Sequence, residues 1–225
     1  MRGLEGRDVK REEEQVADPV FVGPAGAPRV GVVEGGLGST SLIEAVRGLG
    51  VYRAAAVEGV GRSPLSKCDA LLLPERRIPA TLSKQQCWLI WDWVAGGGRL
   101  ILTHDAVGYR NHPILFPWVC AGGTAHVEGG EVDVIWAPEG TQTPGLVRPS
   151  YPEYILLQPC IRAQMTVIAV DRETGKPAVT GAAFETGKVL ACGLALGVGP
   201  TVSDTAPNAG ETALLRAMLA WLLVQ

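Results

Sequence analysis

The chain has 225 residues, 47% of them hydrophobic and 19% charged, and a net charge of −3. That length and apolar content exclude a wholly disordered chain and suit one sizeable domain with its own core. The slight acidic excess offers no basic field to a phosphate backbone, so nucleic acid is not an expected partner. No apolar run approaches the ~18 residues of a membrane span, so a membrane is not one either.

Residues 1–28 read as a flexible extension. Charges of both signs crowd the first fourteen positions, and prolines and glycines follow. Within it, Pro19–Val22 is apolar enough to pair at a sheet edge. The start lacks the apolar stretch of a secretory signal. Cys68, Cys87, Cys120, Cys160 and Cys192 form no C-x-x-C pair. Free thiols in a cytoplasmic protein are therefore the expectation.

The ordered domain is expected over 29–225. Arg29–Val33 reads as a short buried strand, the turn EGGLGST (34–40) follows, and Ser39 or Thr40 can cap a helix running to Arg47. Tyr52–Val57 and Cys68–Leu73 read as the next strands. Ser83 stands three residues before Gln86, a capping box. Cys87, Ile90, Trp91 and Val94 then follow the spacing of a core-facing helix. Three glycines end it, and Arg99–Thr103 is a strand leading directly into His104-Asp105-Ala106. This alternation predicts an α/β fold with a mainly parallel sheet and helices on both faces.

After Val119 the pattern changes. Val132–Trp136, Thr166–Val170, Ala178–Phe184 and Val189–Leu194 read as strands joined by short turns, two of them with the sequence ETGK. An antiparallel C-terminal extension of the sheet is expected. Asn208 and Glu211 open a last helix, whose apolar face carries Leu214, Leu215, Met218, Leu219 and Leu222.

Four segments carry a family resemblance: CDALLLPE (68–75), LSKQQCWLIWDWVAGGGRLILTHDA (82–106), YPEYILL (151–157) and GAAFETGKVLACGLALG (181–197). In order and spacing they resemble the trehalose-utilisation (ThuA-like) family of the class I glutamine amidotransferase-like superfamily. The resemblance implies a flavodoxin-like fold over 29–225 and a role in carbohydrate metabolism. A glutamine amidotransferase of that superfamily carries a cysteine nucleophile at the strand-to-helix elbow. Here the elbow position is His104, followed by Asp105. An imidazole there forms no thioester, and all three histidines precede residue 127, so the late histidine of the triad has no counterpart. Cys120 is a poor substitute because no strand precedes it. Glutaminase activity is not expected.

In a parallel α/β sheet, ligands sit beyond the carboxyl ends of the strands. That rule places Glu34, Glu75, His104 and Asp105 at the crest. His104 is the strongest candidate, since imidazole carries protons or binds metal near neutral pH; the bland alternative is a histidine bonded to neighbouring backbone. Asp105 could orient His104 or bind a hydroxyl, or simply cap a helix. His104, Asp105 and Glu153 form the candidate catalytic set. Glu34, Glu75, His112 and Tyr154 form the substrate-binding set, although Tyr154 also suits a core position behind a turn. His104, His112 and His126 with Asp105 could offer nitrogen and oxygen to a metal. Their spacing fits no compact zinc motif, so no metal is assigned, and nothing in the sequence assigns a cofactor. EGGLGST lacks the full glycine fingerprint of a phosphate loop. Trp88, Trp91, Trp93 and Trp118 could stack on sugar rings or lie in the core.

Two functions remain open from sequence. One is a small-molecule protein that binds or transforms a sugar or keto-sugar by acid/base chemistry. The other is a non-catalytic amidotransferase-like module for binding or homo-oligomer formation. Convergence of the named polar residues would favour the first.

Overall fold

Short apolar segments separated by glycine-rich turns form the first half of the fold in a computed structural model that describes residues 17–75, 82–110, 112–117, 121–136, 145–158 and 164–223. In chain order these are β1 (Arg29–Val33), α1 (Ser39–Gly48), β2 (Arg53–Val57), α2 (Arg62–Ser66), β3 (Ala70–Leu73), α3 (Lys84–Ala95) and β4 (Arg99–Thr103). A 3₁₀ turn, His104–Val107, follows β4 directly. The second half holds β5 (Ala121–Glu128), β6 (Val132–Val134), β7 (Gly145–Val147), β8 (Glu153–Gln158), β9 (Met165–Asp171), β10 (Pro177–Phe184), β11 (Gly187–Cys192) and α4 (Ala209–Leu223).

Nine strands make one sheet in the order β2-β1-β3-β4-β11-β10-β9-β6-β7. The β2, β1, β3, β4 and β11 strands are parallel to one another. From β11 outward, β10, β9, β6 and β7 pair antiparallel. The sheet is therefore mixed, parallel in its first half and largely antiparallel in its C-terminal half. One strand changes its assignment. Val189–Leu194 follows a hairpin turn and so reads as antiparallel, but β11 also returns beside β4 as the fifth parallel strand. The β5 and β8 strands form a separate antiparallel ribbon.

The strands of the parallel half are apolar on both sides because both faces are covered. On one face Val30, Val32, Ile101 and Leu190 pack with Leu42 and Val46 of α1 and Leu215 and Met218 of α4. On the other, Leu71, Leu73, Leu100, Leu102 and Val189 pack with Leu65 of α2 and Ile90 and Val94 of α3. The Ser83–Gln86 capping box forms as anticipated, with reciprocal bonds of 3.2 and 2.9 Å. The partner of β2 at the sheet edge is Val22, which exchanges two backbone hydrogen bonds with Ala54. Thus 17–28, within the proposed extension, includes a docked piece, whereas 1–16 lies outside the described residues. No helix among the described residues is long and apolar enough to cross a membrane.

Gly193 explains how the ribbon reaches the sheet. Its N–H donates to Ala178 O at 2.8 Å, and its carbonyl accepts from Ile155 N at 2.9 Å. A Cβ at Gly193 would lie 1.9 Å from Ile155 O, so no side chain fits between β11 and β8. Gly193→Ala is expected to cost about 1–3 kcal/mol through this overlap. Urea unfolding checks it, and a wild-type midpoint would refute the close-approach account.

Candidate functional site

The register of the parallel strands sets the site. Leu73 of β3 lies level with Leu102 of β4, so two residues later Glu75 and His104 emerge side by side at the crest. His104 adopts φ 48°, a left-handed conformation that a non-glycine residue holds only when its surroundings enforce it. Its ring is buried at 1% exposure, and Asp105 at 4%. His104 Nδ1 lies 2.5 Å from Glu75 Oε2 and 3.4 Å from Asp105 Oδ1. Glu75 thus partners Nδ1, while among the described residues Nε2 of His104 and Oδ1 of Asp105 are buried without a hydrogen-bond partner. Tyr151 packs edge-on against the imidazole, with ring centroids 5.7 Å apart.

Arg110 ties one further carboxylate, Glu153, to this centre. Its guanidinium lies 3.4 Å from Asp105 Oδ2 and pairs directly with Glu153 Oε1. Arg110 also holds a positive φ of 52°, and its side chain is 44% exposed over the more buried carboxylates. The His112 amide donates to Tyr109 O at 3.1 Å, and the His112 side chain acts electrostatically on both Glu75 and Asp105.

The two central carboxylates are pushed in opposite directions. Burial raises Glu75, but its contact with His104 and the charges of His104, His112 and Arg110 outweigh this, and its pKa falls below the ordinary range. Burial raises Asp105, the neighbouring Glu75 charge raises it further, and the net shift is upward despite His104 and Arg110.

Of the residues singled out from sequence, the structure brings together Glu75, His104, Asp105, His112 and, through Arg110, Glu153. It does not bring Tyr154 there. The Tyr154 ring is buried in the core, its hydroxyl donates to Asp171 Oδ1 and lies 3.4 Å from Glu131 O, and burial followed by that contact raises its pKa. Glu34 is exposed at the end of β1, apart from the contacts described for the cluster. His126 is exposed on β5, opposite Ile155 of β8. Among the described residues, the group able to hold a metal ion is Glu75, His104 and Asp105, with donor atoms within 4.8 Å of one another; neither His112 nor His126 is part of it. Trp88 is exposed on α3. Trp118, Cys120 and Cys160 lie outside the described residues.

The phosphate-loop alternative finds its answer in Asp204. Gly38, not Ser39 or Thr40, is the N-cap of α1, at φ 75° and without a side-chain cap. The helix amides are met instead by Asp204, whose carboxylate accepts from Gly38 N at 3.0 Å and Thr40 N at 3.2 Å. The protein's own anion therefore occupies the place a phosphate would take. Arg110 and Tyr151 were missed from sequence. Each adjoins a candidate, but only the folded turn shows that it points inward. Glu211 was read as a helix opener, and it does bond Asn208 N at 2.9 Å. It also holds Ser150 through N at 2.8 Å and Oγ at 2.6 Å, and so fixes the loop that sets Tyr151 on His104.

No family model and no curated protein matches the chain. Solved structures do. A ThuA-like protein from Bacteroides uniformis aligns with a TM-score of 0.62 at 12% identity, covering 90% of this chain and 94% of that one. The mmIFT52 N-terminal domain aligns with a TM-score of 0.62 at 10% identity, over 88% and 98%. A β-galactosidase from Rahnella sp. R3 aligns with a TM-score of 0.59 at 14% identity, over 89% of this chain but 31% of that one. The chain has the fold of ThuA-like proteins.

Two consequences can be measured. Asp204→Ala removes the cap of α1 and should lower stability by about 1 kcal/mol, seen as a lower thermal midpoint; no change would mean that water replaces the carboxylate at no cost. Asp171 accepts from Thr174 N at 2.7 Å and Thr174 Oγ1 at 2.6 Å as well as from Tyr154. Burial opposes its ionisation, yet these bonds hold its pKa below the ordinary value. Its stabilisation is therefore complete above about pH 4 and is lost as pH falls through the lowered folded value. Asp171→Asn should be less stable than wild type at pH 7, and the gap should close toward pH 2; a gap independent of pH would contradict this.

Proposed function

We propose that this chain is a ThuA-like protein of carbohydrate metabolism that binds a small polyhydroxylated ligand, a sugar or keto-sugar, at the Glu75–His104–Asp105 crest and acts on it by acid/base chemistry. One observation carries the reading. His104 and Asp105 are buried, yet among the described residues the Nε2 of the imidazole and an oxygen of the carboxylate lack hydrogen-bond partners. Buried polar groups are nearly always satisfied, so donors and acceptors left over at the crest of a parallel sheet await a polar ligand. Hydroxyl and carbonyl groups supply both kinds of partner. His104 is the proton carrier, Asp105 faces the same space, and Glu153 is the second carboxylate, held by Arg110.

The parallel strands lend the fold its part of the proposal. Their order, β2-β1-β3-β4-β11, is that of flavodoxin-like proteins, which supports an amidotransferase-like domain over 29–225. The likeness to ThuA-like proteins supports a carbohydrate rather than another polar ligand. Cys68, Cys87 and Cys192 are free, which suits a reducing cytoplasm.

The second reading, a non-catalytic binding or oligomerisation module, is favoured by the burial of His104 itself, which leaves little of its ring for a ligand to meet. Titration calorimetry with a panel of sugars and sugar phosphates decides between them. Under the first reading a member of the panel binds the wild type, while His104→Ala keeps its circular dichroism spectrum and loses that binding at least ~10-fold. If no sugar binds, or if His104→Ala binds as wild type does, the module reading stands instead. Glutaminase activity should be at background, because the elbow carries imidazole and Cys192 is wholly buried with its thiol pushed up to about 12. Ammonia release from glutamine that is abolished by Cys120→Ser would overturn that.

A further inference from the structure

We infer that Glu75, His104 and Asp105 form a divalent-cation site. The inference deepens the reading above, since it concerns the same crest and assumes that the unsatisfied atoms there serve a ligand.

Three lines of geometry point to it. Each of the three residues offers one donor atom, and the three atoms lie within 4.8 Å of one another, the spacing at which ligands on one face of an ion sit. The set is one imidazole and two carboxylates, the nitrogen and oxygen chemistry that suits zinc, manganese or ferrous iron. Donors are also left over: among the described residues Nε2 of His104, 1% exposed, and Oδ1 of Asp105, 4% exposed, have no hydrogen-bond partner. A cation meets acceptor atoms of this kind directly, whereas a neutral ligand would have to supply a donor for each.

Charge supports the same conclusion. Among the described residues, Glu75, Asp105 and Glu153 bring three carboxylates to the crest, beside the guanidinium of Arg110. Arg110 is committed to Asp105 Oδ2 and Glu153, which leaves the Oδ1 side of Asp105 and the Glu75 carboxylate facing the imidazole. A divalent ion between them would relieve the crowding of Glu75 against Asp105. Three protein ligands leave further coordination positions for water or for the hydroxyls of a bound ligand. An ion held by one ring nitrogen of His104 occupies the lone pair and leaves the N–H on the other nitrogen, so cation binding and protonation of the ring compete.

The test is calorimetry of the full chain, stripped with EDTA and titrated separately with zinc and manganese chloride. One ion per chain should bind at least one of them. Glu75→Gln and Asp105→Asn, which keep side-chain shape, should each weaken that binding at least ~10-fold while retaining the wild-type circular dichroism spectrum. His126 is exposed on β5, so His126→Ala should leave it unchanged. Absence of binding by the wild type, or binding that survives Glu75→Gln and Asp105→Asn but is lost in His112→Ala or His126→Ala, overturns the inference. The sugar panel is run on both the stripped and the metal-loaded protein. Sugar binding without metal binding removes this inference and leaves the proposed function standing; metal binding without sugar binding does the reverse.

Discussion

The pairing of β3 with β4 governs the rest of the crest. Leu73 lies level with Leu102, so the chain must deliver Glu75 and His104 to the same height on neighbouring strands. A one-residue slip would turn every side chain of β3 to the opposite face, and the apolar packing on both faces forbids it. The contact between the Glu75 carboxylate and the His104 imidazole is thus a product of core packing further down the strands. The next strand in the sheet adds to this. Cys192 of β11 lies level with Thr103, which brings Gly193 beside His104, and the absent side chain of Gly193 admits β8 and with it Glu153.

The two ends of this crest solve the problem of buried polar groups differently. At β1, the free amides of α1 are closed by Asp204 from the distant C-terminal region. At β4, the analogous position holds a strained histidine whose Nδ1 meets Glu75 and whose Nε2 has no partner among the described residues. Glu211 and Tyr151 support that histidine from behind, one holding a loop through Ser150 and the other pressing on the ring. A fold that satisfies the first end so fully and leaves the second open concentrates its unsatisfied polar chemistry in one place.

Much of this was legible in the sequence. The β1 and β4 boundaries, the Ser83–Gln86 capping box and the Asn208–Glu211 helix start follow from local rules, and the structure keeps them. So do Glu75, His104 and Asp105 as crest residues, because strand ends are local features. Pairing across long distances was not legible. The hairpin turn before β11 gives no hint that its other edge lies parallel to β4, and nothing near Asp204 announces that it caps α1. Tyr154 shows the same limit from the opposite side. Its neighbour Glu153 reaches the site, but alternation along β8 turns the phenol into the core and toward Asp171. Arg110 escaped notice because its role depends on the left-handed turn that follows His104–Val107.

The central claim is that the Glu75–His104–Asp105 crest is built to hold something polar. A high-resolution crystal structure of the purified protein tests it most directly. The account predicts an ordered water, ion or small molecule within about 3 Å of a His104 ring nitrogen or Asp105 Oδ1. A ring whose two nitrogens are both bonded by the protein itself, beside an Asp105 carboxylate fully paired with Arg110 and backbone amides, would contradict it and make His104 a structural residue.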